Sequence, residues 1–222
     1  MRKLILKMSV SIDGFVGGPN GEIDWIFRSM DDTAAAWTVE ALWQAGLHIM
    51  GSRTYQDMQA WWPYSNEIFA PPMNEIPKAV FTKTSSAARK EELTTMALKN
   101  ASAVNKEKIK DPALLAKNIA GWTDTYIATG DLKEEIMRLK QQPGKDIVAH
   151  GGASFAQSLV RLGLIDEYKL LVHPIALGKG LPIFAALPAP MDLKLISSIP
   201  FKGGIIAHIY SSSTKVPNAE GV

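Results

Sequence analysis

The sequence has no cysteine and only four histidines, at 48, 150, 173 and 208. The first absence excludes disulfides, thiolate metal sites and thiol nucleophiles. The scatter of the histidines leaves no local cluster with metal-ligand spacing, so no metal site is expected. Long apolar runs are missing too. The longest stretch without formal charge, Ile147 to Val160, has 14 residues and contains a Gly pair, whereas a spanning helix needs about 20 apolar residues. Near the N-terminus, Lys7 interrupts the apolar run Leu4-Ile5-Leu6, which falls short of the roughly 7–15-residue core of a secretory signal. No membrane partner and a cytoplasmic location are the expectations. A large charge of one sign is also absent: 24 Lys and Arg against 22 Asp and Glu leave +2, and that balance makes no electrostatic case for nucleic acid as a partner.

What is present is globular material, 46% hydrophobic over 222 residues, enough for one domain with a substantial core. From Leu4 to Asp13 apolar and polar side chains alternate, which predicts a strand with Lys7, Ser9, Ser11 and Asp13 on its polar face. Gly14 to Gly21 holds four glycines and a Pro-Asn-Gly signal, so a loop with conformational freedom to close over a ligand should follow. Thr33 is placed to cap a helix reaching Ala45 and ended by Gly46, with a buried strand over Leu47 to Met50. Thr54 and Asp57 resemble a capping pair for a helix stopped by Pro63, and Lys78 to Thr82 reads as a third strand.

Residues 86–120 carry no strand signal and predict an added helical excursion, with pieces near Lys90 to Lys99 and Ala113 to Ala120. Thr125 to Thr129 is strand-like, and Asp131 caps a helix with Leu132, Ile136 and Leu139 inward and a Glu134–Arg138 pair outward. Asp146 to His150 is a strand, Gly151-Gly152 a turn, and Phe155, Leu159 and Leu162 the buried stripe of the next helix. Strand and helix alternate, as in a parallel sheet with crossovers. Tyr168 to Leu177, Leu193 to Ile199 and Ile205 to Ser211 then follow as strands without helices between them, so the sheet should finish antiparallel. Apolar surface on these last strands predicts a homodimer.

Two turns carry candidate binding chemistry. At Gly151-Gly152 a strand runs into a helix N-terminus, where free N–H groups and the helix dipole favour an anion; the alternative is a plain tight turn. Gly51-Ser52-Arg53-Thr54 repeats the arrangement and adds a guanidinium able to grip phosphate, or simply to sit in solvent. Two such turns at carboxyl ends of strands suit a dinucleotide with an extra 2′-phosphate. Asp13 is a candidate proton relay if burial raises its pKa, or a residue that caps its own turn. Asp31 and Asp32 are either helix-terminal charges or a substrate carboxylate. His150 stands beside the Gly pair. Trp25, Trp37, Trp43, Trp61 and Trp62 should be mostly core.

Met8-Ser9-Val10-Ser11-Ile12-Asp13-Gly14-Phe15, Gly18 to Trp25, Gly51 to Tyr55, and His150-Gly151-Gly152 through Gly163-Leu164-Ile165-Asp166-Glu167 to His173-Pro174-Ile175-Ala176-Leu177-Gly178 together resemble the dihydrofolate reductase-like family. Within it they are most similar to the C-terminal reductase domain of the riboflavin-biosynthesis deaminase-reductase. The likeness spans nearly all of residues 1–222, read as a single reductase domain, except the excursion at 86–120. It implies an α/β, three-layer fold with a mixed, mainly parallel sheet of about eight strands and an antiparallel C-terminal part. It further implies NADPH as cofactor, a small heterocycle as substrate, and one proton supplied by the protein. By position, Gly51, Arg53 and Thr54 would hold the adenosine phosphate side, Thr82 to Ser85 would edge the adenine and 2′-phosphate, and Gly151, Gly152, Ala153 and Ser154 would take the pyrophosphate. Asp13 would lie under the nicotinamide, and Asp32 or Asp31 stands nearest the helix carboxylate that folate reductases use.

Two departures bear on substrate. His150 occupies the place of an acidic residue in riboflavin reductases, and the zinc signatures of a deaminase are missing. Reduction of the ribosylaminopyrimidine of riboflavin synthesis is the first expectation. Dihydrofolate reduction is the second, and a nucleotide-binding module without turnover a third.

Overall fold

A computed structural model describes residues 1–82, 111–185 and 187–212. In chain order its elements are β1 (Leu4–Ser11), α1 (Asp32–Trp43), β2 (Ala45–Gly51), α2 (Ser52–Trp61), α3 (Ala70–Glu75), β3 (Lys78–Phe81), α4 (Pro112–Thr123), β4 (Tyr126–Ala128), α5 (Leu132–Gln141), β5 (Asp146–Ala149), α6 (Ala153–Arg161), β6 (Glu167–His173), β7 (Leu193–Pro200) and β8 (Ile206–Ser212). Contacts divide the chain into unit 1, formed by Met1–Arg2 and Ala35–Gly152, and unit 2, formed by Lys3–Ala34 and the chain from Ala153 onward.

The eight strands make a mixed sheet. Unit 1 holds the order β4-β3-β2-β5, all parallel. Unit 2 holds β1-β6-β8-β7, with β1 and β6 parallel and β8 and β7 antiparallel. This is the α/β architecture with an antiparallel finish that the order of strand and helix signals predicts.

Parallel strands are covered on both faces, so their sequences need not alternate. That rule corrects the reading of β1: Leu4, Ile5 and Leu6 are all buried, and its polar face is not a solvent face. The strand also stops at Ser11 rather than Asp13. In the same way β6 ends at His173, not Leu177, because Pro174 brings no N–H to extend the ladder.

Several helix boundaries shift for reasons of local hydrogen bonding. Asp31, not Thr33, caps α1: its Oδ1 accepts from the N–H groups of Thr33 (2.7 Å) and Ala34 (2.9 Å) and from the Thr33 hydroxyl. Gly46 does not end that helix but lies in β2, where a Cβ would meet Lys145 at 3.0 Å. α2 starts at Ser52 after Gly51, so Thr54 and Asp57 are inside it and do not cap it. Pro71 and Pro72 open α3, a helix the sequence reading missed, since proline is tolerated in a first turn. Asp131 caps α5 as expected. Arg138, however, pairs with Glu135 (2.6 Å) and the Tyr126 hydroxyl (2.8 Å) rather than with Glu134.

Of the expected excursion, 86–110 lies outside the described residues. The following helix, α4, is longer than anticipated and its Asp111 cap binds the N–H groups of Ala113 and Leu114. Trp122 on α4 is fully buried in unit 1 with Leu42, Met50, Tyr55, Met73 and Val80. Its indole N–H donates to Asn74 Oδ1 at 2.8 Å. Among the five tryptophans expected to be mostly core, Trp25 is buried, whereas Trp43 and Trp61 are exposed. On α6, Phe155 and Leu159 are buried, and Leu162 lies past the helix end and is half-buried.

Candidate functional site

In unit 1, β2 and β5 lie side by side, and the turns that follow them meet. The Gly51 N–H donates to the Gly151 carbonyl at 3.1 Å, and the His150 N–H to the Ile49 carbonyl at 3.0 Å. A Cβ on Gly152 would stand 3.0 Å from the Thr54 hydroxyl oxygen, so the second glycine leaves a cradle that most side chains would fill. Gly151 has φ +91°, in the region that favours glycine, and its peptide bond to Gly152 is cis. Gly51 caps α2 without a side-chain acceptor, so the N–H groups of the first turn have no cap of their own and the dipole end is positive. Gly51, Thr54, Gly151 and Gly152 are thus brought together.

Arg53 is exposed on α2; burial pushes the Asp57 carboxyl up, and the Arg53 charge offsets only part of that rise. Thr82 is half-buried just past β3, its N–H bonded to the Ala128 carbonyl at 3.1 Å. Ser85 lies outside the described residues. Ala153 and Ser154 open α6 directly after Gly152. His150 turns its ring to the fully buried His48, with 2.7 Å between Nε2 and Nδ1. One ring must donate to the other, so that nitrogen is committed inside unit 1.

Unit 2 contains the candidate carboxylates. Asp13 is not a half-desolvated acid with a raised pKa. It accepts from the Ser11 hydroxyl (2.5 Å) and from the N–H groups of Gly178 (2.7 Å) and Leu177 (3.2 Å). The Ser11 bond first, and the Gly178 bond next, hold its carboxyl below the usual range. Asp31 is committed as well: the Thr33 hydroxyl and the Ala34 N–H bring it down to about 2, and its Oδ2 accepts from Gly203 N–H. Asp32 opens α1 with an exposed side chain. The glycine-rich loop is anchored rather than free. Backbone bonds run from Val16 to Leu181, from Leu181 to Gly17 and from Ile183 to Gly14, and Val16, Gly17 and Gly18 are buried.

Lys7 is a functional candidate that the sequence reading passed over. It pairs in register with Lys169 on β6, as Ser11 pairs with His173. Burial, aided by Lys169, pushes its ammonium down to about 8. His173 is fully buried, with Nδ1 at 2.8 Å from the Ser29 hydroxyl and its ring edge-on to Trp25. Its Nε2 has no hydrogen-bond partner among the described residues. Burial and the nearby Lys7 bring its pKa to about 4, so the ring is neutral at physiological pH. The overlooked signal was a lysine in the middle of the first strand.

Fold and site together define an α/β scaffold in which two glycine turns meet at the ends of neighbouring parallel strands. The chain belongs to the RibD C-terminal domain family, matched over residues 2–207. It is 28% identical to the Bacillus subtilis (strain 168) protein YyaP over 209 residues, covering 94% of both chains. Among solved structures it is similar to a putative riboflavin biosynthesis protein from Shewanella sp. PV-4, at TM-score 0.64 and 19% identity, covering 96% of this chain and 100% of that one. It is also similar to the dihydrofolate reductase of Enterococcus faecalis complexed with NADP(H), at TM-score 0.56 and 11% identity, covering 96% and 97%. These likenesses establish the dihydrofolate reductase-like fold and a reductase-like family. Among the described residues no helix is long and apolar enough to cross a membrane.

The buried His173 generates a pH prediction. Its folded pKa of about 4 lies below the ordinary 6.5, so between those values the unfolded chain binds more protons and stability falls as pH drops. Denaturant melts from pH 7 to 4 should show a loss of up to about 3 kcal/mol from this group. His173→Gln should flatten that part of the profile, and an unchanged slope would contradict the assignment.

Proposed function

We propose that the protein is an NADPH-dependent reductase of a small heterocycle, most like 5-amino-6-(5-phosphoribosylamino)uracil reduction in riboflavin synthesis. The observation that carries the reading is the cradle between Thr54 and Gly152, floored by the Gly51–Gly151 bond. Its backbone donors, hydroxyl and missing Cβ are the chemistry a pyrophosphate needs. Gly151, Gly152 and the N–H groups of Ala153 and Ser154 would take the pyrophosphate. Gly51, Arg53 and Thr54 would hold the adenosine phosphate side, with Thr82 and Ser85 at the 2′-phosphate. The cofactor supplies hydride; the chain supplies orientation and a proton.

For the proton, unit 2 offers Lys7 more readily than a carboxylate. Reduction leaves negative charge on the substrate, and an ammonium near pKa 8 can neutralise it and donate near neutral pH. Asp13 then acts by bracing the turn at Gly178, and Asp32 is an exposed alternative. Dihydrofolate reduction is less well supported, since Asp13 and Asp31 are held as hydrogen-bonded carboxylates. The exposed apolar Leu195 and Ile196 on β7, at the sheet edge, support the homodimer reading. Light scattering at micromolar concentration should return two chains per particle, and a monomer there ends that reading.

NADPH should bind about ten- to hundredfold more tightly than NADH, the value of one lost charged hydrogen bond of about 1.5–3 kcal/mol. Arg53→Ala should remove the preference. Gly152→Val should abolish binding of both nucleotides while leaving the thermal melt nearly intact. Equal affinities in the wild type, or undiminished binding in Gly152→Val, overturn the cofactor assignment.

With a substrate identified, the wild-type kcat/KM should fall as pH rises above about 8, because the protonated ammonium is the active form. Lys7→Met should lower kcat by about 10²–10⁴-fold and erase that limb. A retained alkaline limb in the variant would assign the proton to another group.

A further inference from the structure

Lys7 belongs to a row of charge that β6 completes. Parallel strands run about 4.8 Å apart, and residues paired in register share a face. Lys7 and Lys169 therefore stand side by side, with Ile5 and Glu167 paired below them and Ser11 and His173 above. The Lys169 ammonium lies 3.7 Å from Glu167 Oε1, and the two side chains are only 10% and 12% exposed. The other oxygen of Glu167 accepts from the Lys3 ammonium at 3.2 Å. One carboxylate is thus divided between an ammonium inside and an ammonium at the surface.

The surrounding elements of unit 2 add little charge to this face. β8 presents Ala207, Ile209 and Ser211 beside Leu171, Lys169 and Glu167, and its His208 and Tyr210 pair with Leu170 and Tyr168 on the opposite face. His173 is neutral at physiological pH. Nearby acids are engaged elsewhere: Asp166 accepts from the Leu4 N–H (2.7 Å), Asp13 from the Gly178 N–H (2.7 Å), Asp31 from the Ala34 N–H (2.9 Å), and Asp24 pairs with Arg28 (3.4 Å).

We infer that Lys169 is a positioning residue for Lys7: anchored by Glu167, it fixes a second positive charge across the ladder that opposes the Lys7 ammonium and prepares Lys7 to release its proton. The inference rests on the reading of Lys7 as proton donor and names what regulates it. Like charges brought together out of water each disfavour the charged form of the other. Glu167 lies on the strand of Lys169 and gives that lysine the nearer counter-charge. After burial, Lys169 is the cause that holds Lys7 down at about 8, and a lysine beside another cation is a known way to free an amine near neutral pH.

The test is ¹³C NMR of the full chain carrying [ε-¹³C]lysine, titrated through the lysine range, with the Lys7 signal assigned by its loss in Lys7→Met. The wild-type midpoint should lie near 8. Lys169→Gln keeps a donor for Glu167 but removes the charge, and should raise that midpoint by about half a unit to one and a half units. The rise should stop short of the ordinary 10.5, because burial is the larger cause. Lys169→Arg keeps the charge and should leave the midpoint near its wild-type value. An ordinary wild-type midpoint, a midpoint unmoved in Lys169→Gln, or one as high in Lys169→Arg as in Lys169→Gln would each overturn the proposal. Should Lys169→Gln lose its cooperative melt, Lys169→Met takes its place and is judged by the same midpoint. Kinetics then separates this inference from the reading beneath it. With NADPH and a substrate that turns over, the alkaline limb of kcat/KM should move with the NMR midpoint; a limb that stays while the midpoint moves upholds Lys169 as the determinant of Lys7 and removes Lys7 as the donor.

Discussion

One backbone hydrogen bond, from the Gly51 N–H to the Gly151 carbonyl, organises the candidate site of unit 1. It joins the turn after β2 to the turn after β5, and with them two segments about 100 residues apart in the chain. Without it, the Thr54 hydroxyl and the open face of Gly152 would be features of separate loops. Parallel pairing of β2 with β5 makes the bond possible, because both strands then end on the same side and both deliver a helix start there.

Unit 2 follows a different electrostatic logic. Each carboxylate that could serve as an acid is either spent on backbone donors, as at Asp13 and Asp31, or exposed, as at Asp32. Two bases, Lys7 and His173, are displaced downward by burial. A neutral histidine beside a lysine whose ammonium is destabilised by burial leaves a neighbourhood that disfavours more positive charge and favours an electron-rich oxygen.

The glycine-rich segment illustrates how composition misleads about motion. Four glycines between 14 and 21 read as freedom, yet the loop is laced to 181–183 and partly buried. Glycine is needed there for backbone conformation, with φ of +88° at Gly14 and +89° at Gly21, and the close approach is made from the other side, where a Cβ on Gly180 would collide with the Gly17 carbonyl. The tryptophans teach a similar point. Trp122, just past the expected excursion and not among the tryptophans singled out from the sequence, is part of the unit 1 core, whereas Trp43 and Trp61 lie at the surface.

The sequence by itself determined the alternation of strand and helix, the antiparallel finish, the Asp131 cap, the two glycine turns and the family, because these depend on local periodicity, turn chemistry and short motifs. The tertiary structure alone decided the rest. That Thr54 faces Gly152, that His150 turns to His48, that Asp13 is clamped by Gly178 and that Lys7 is a desolvated cation all depend on which strands become neighbours. Burial and pKa are properties of that neighbourhood, and a strand covered on both faces conceals in its sequence which of its polar side chains have been taken out of water.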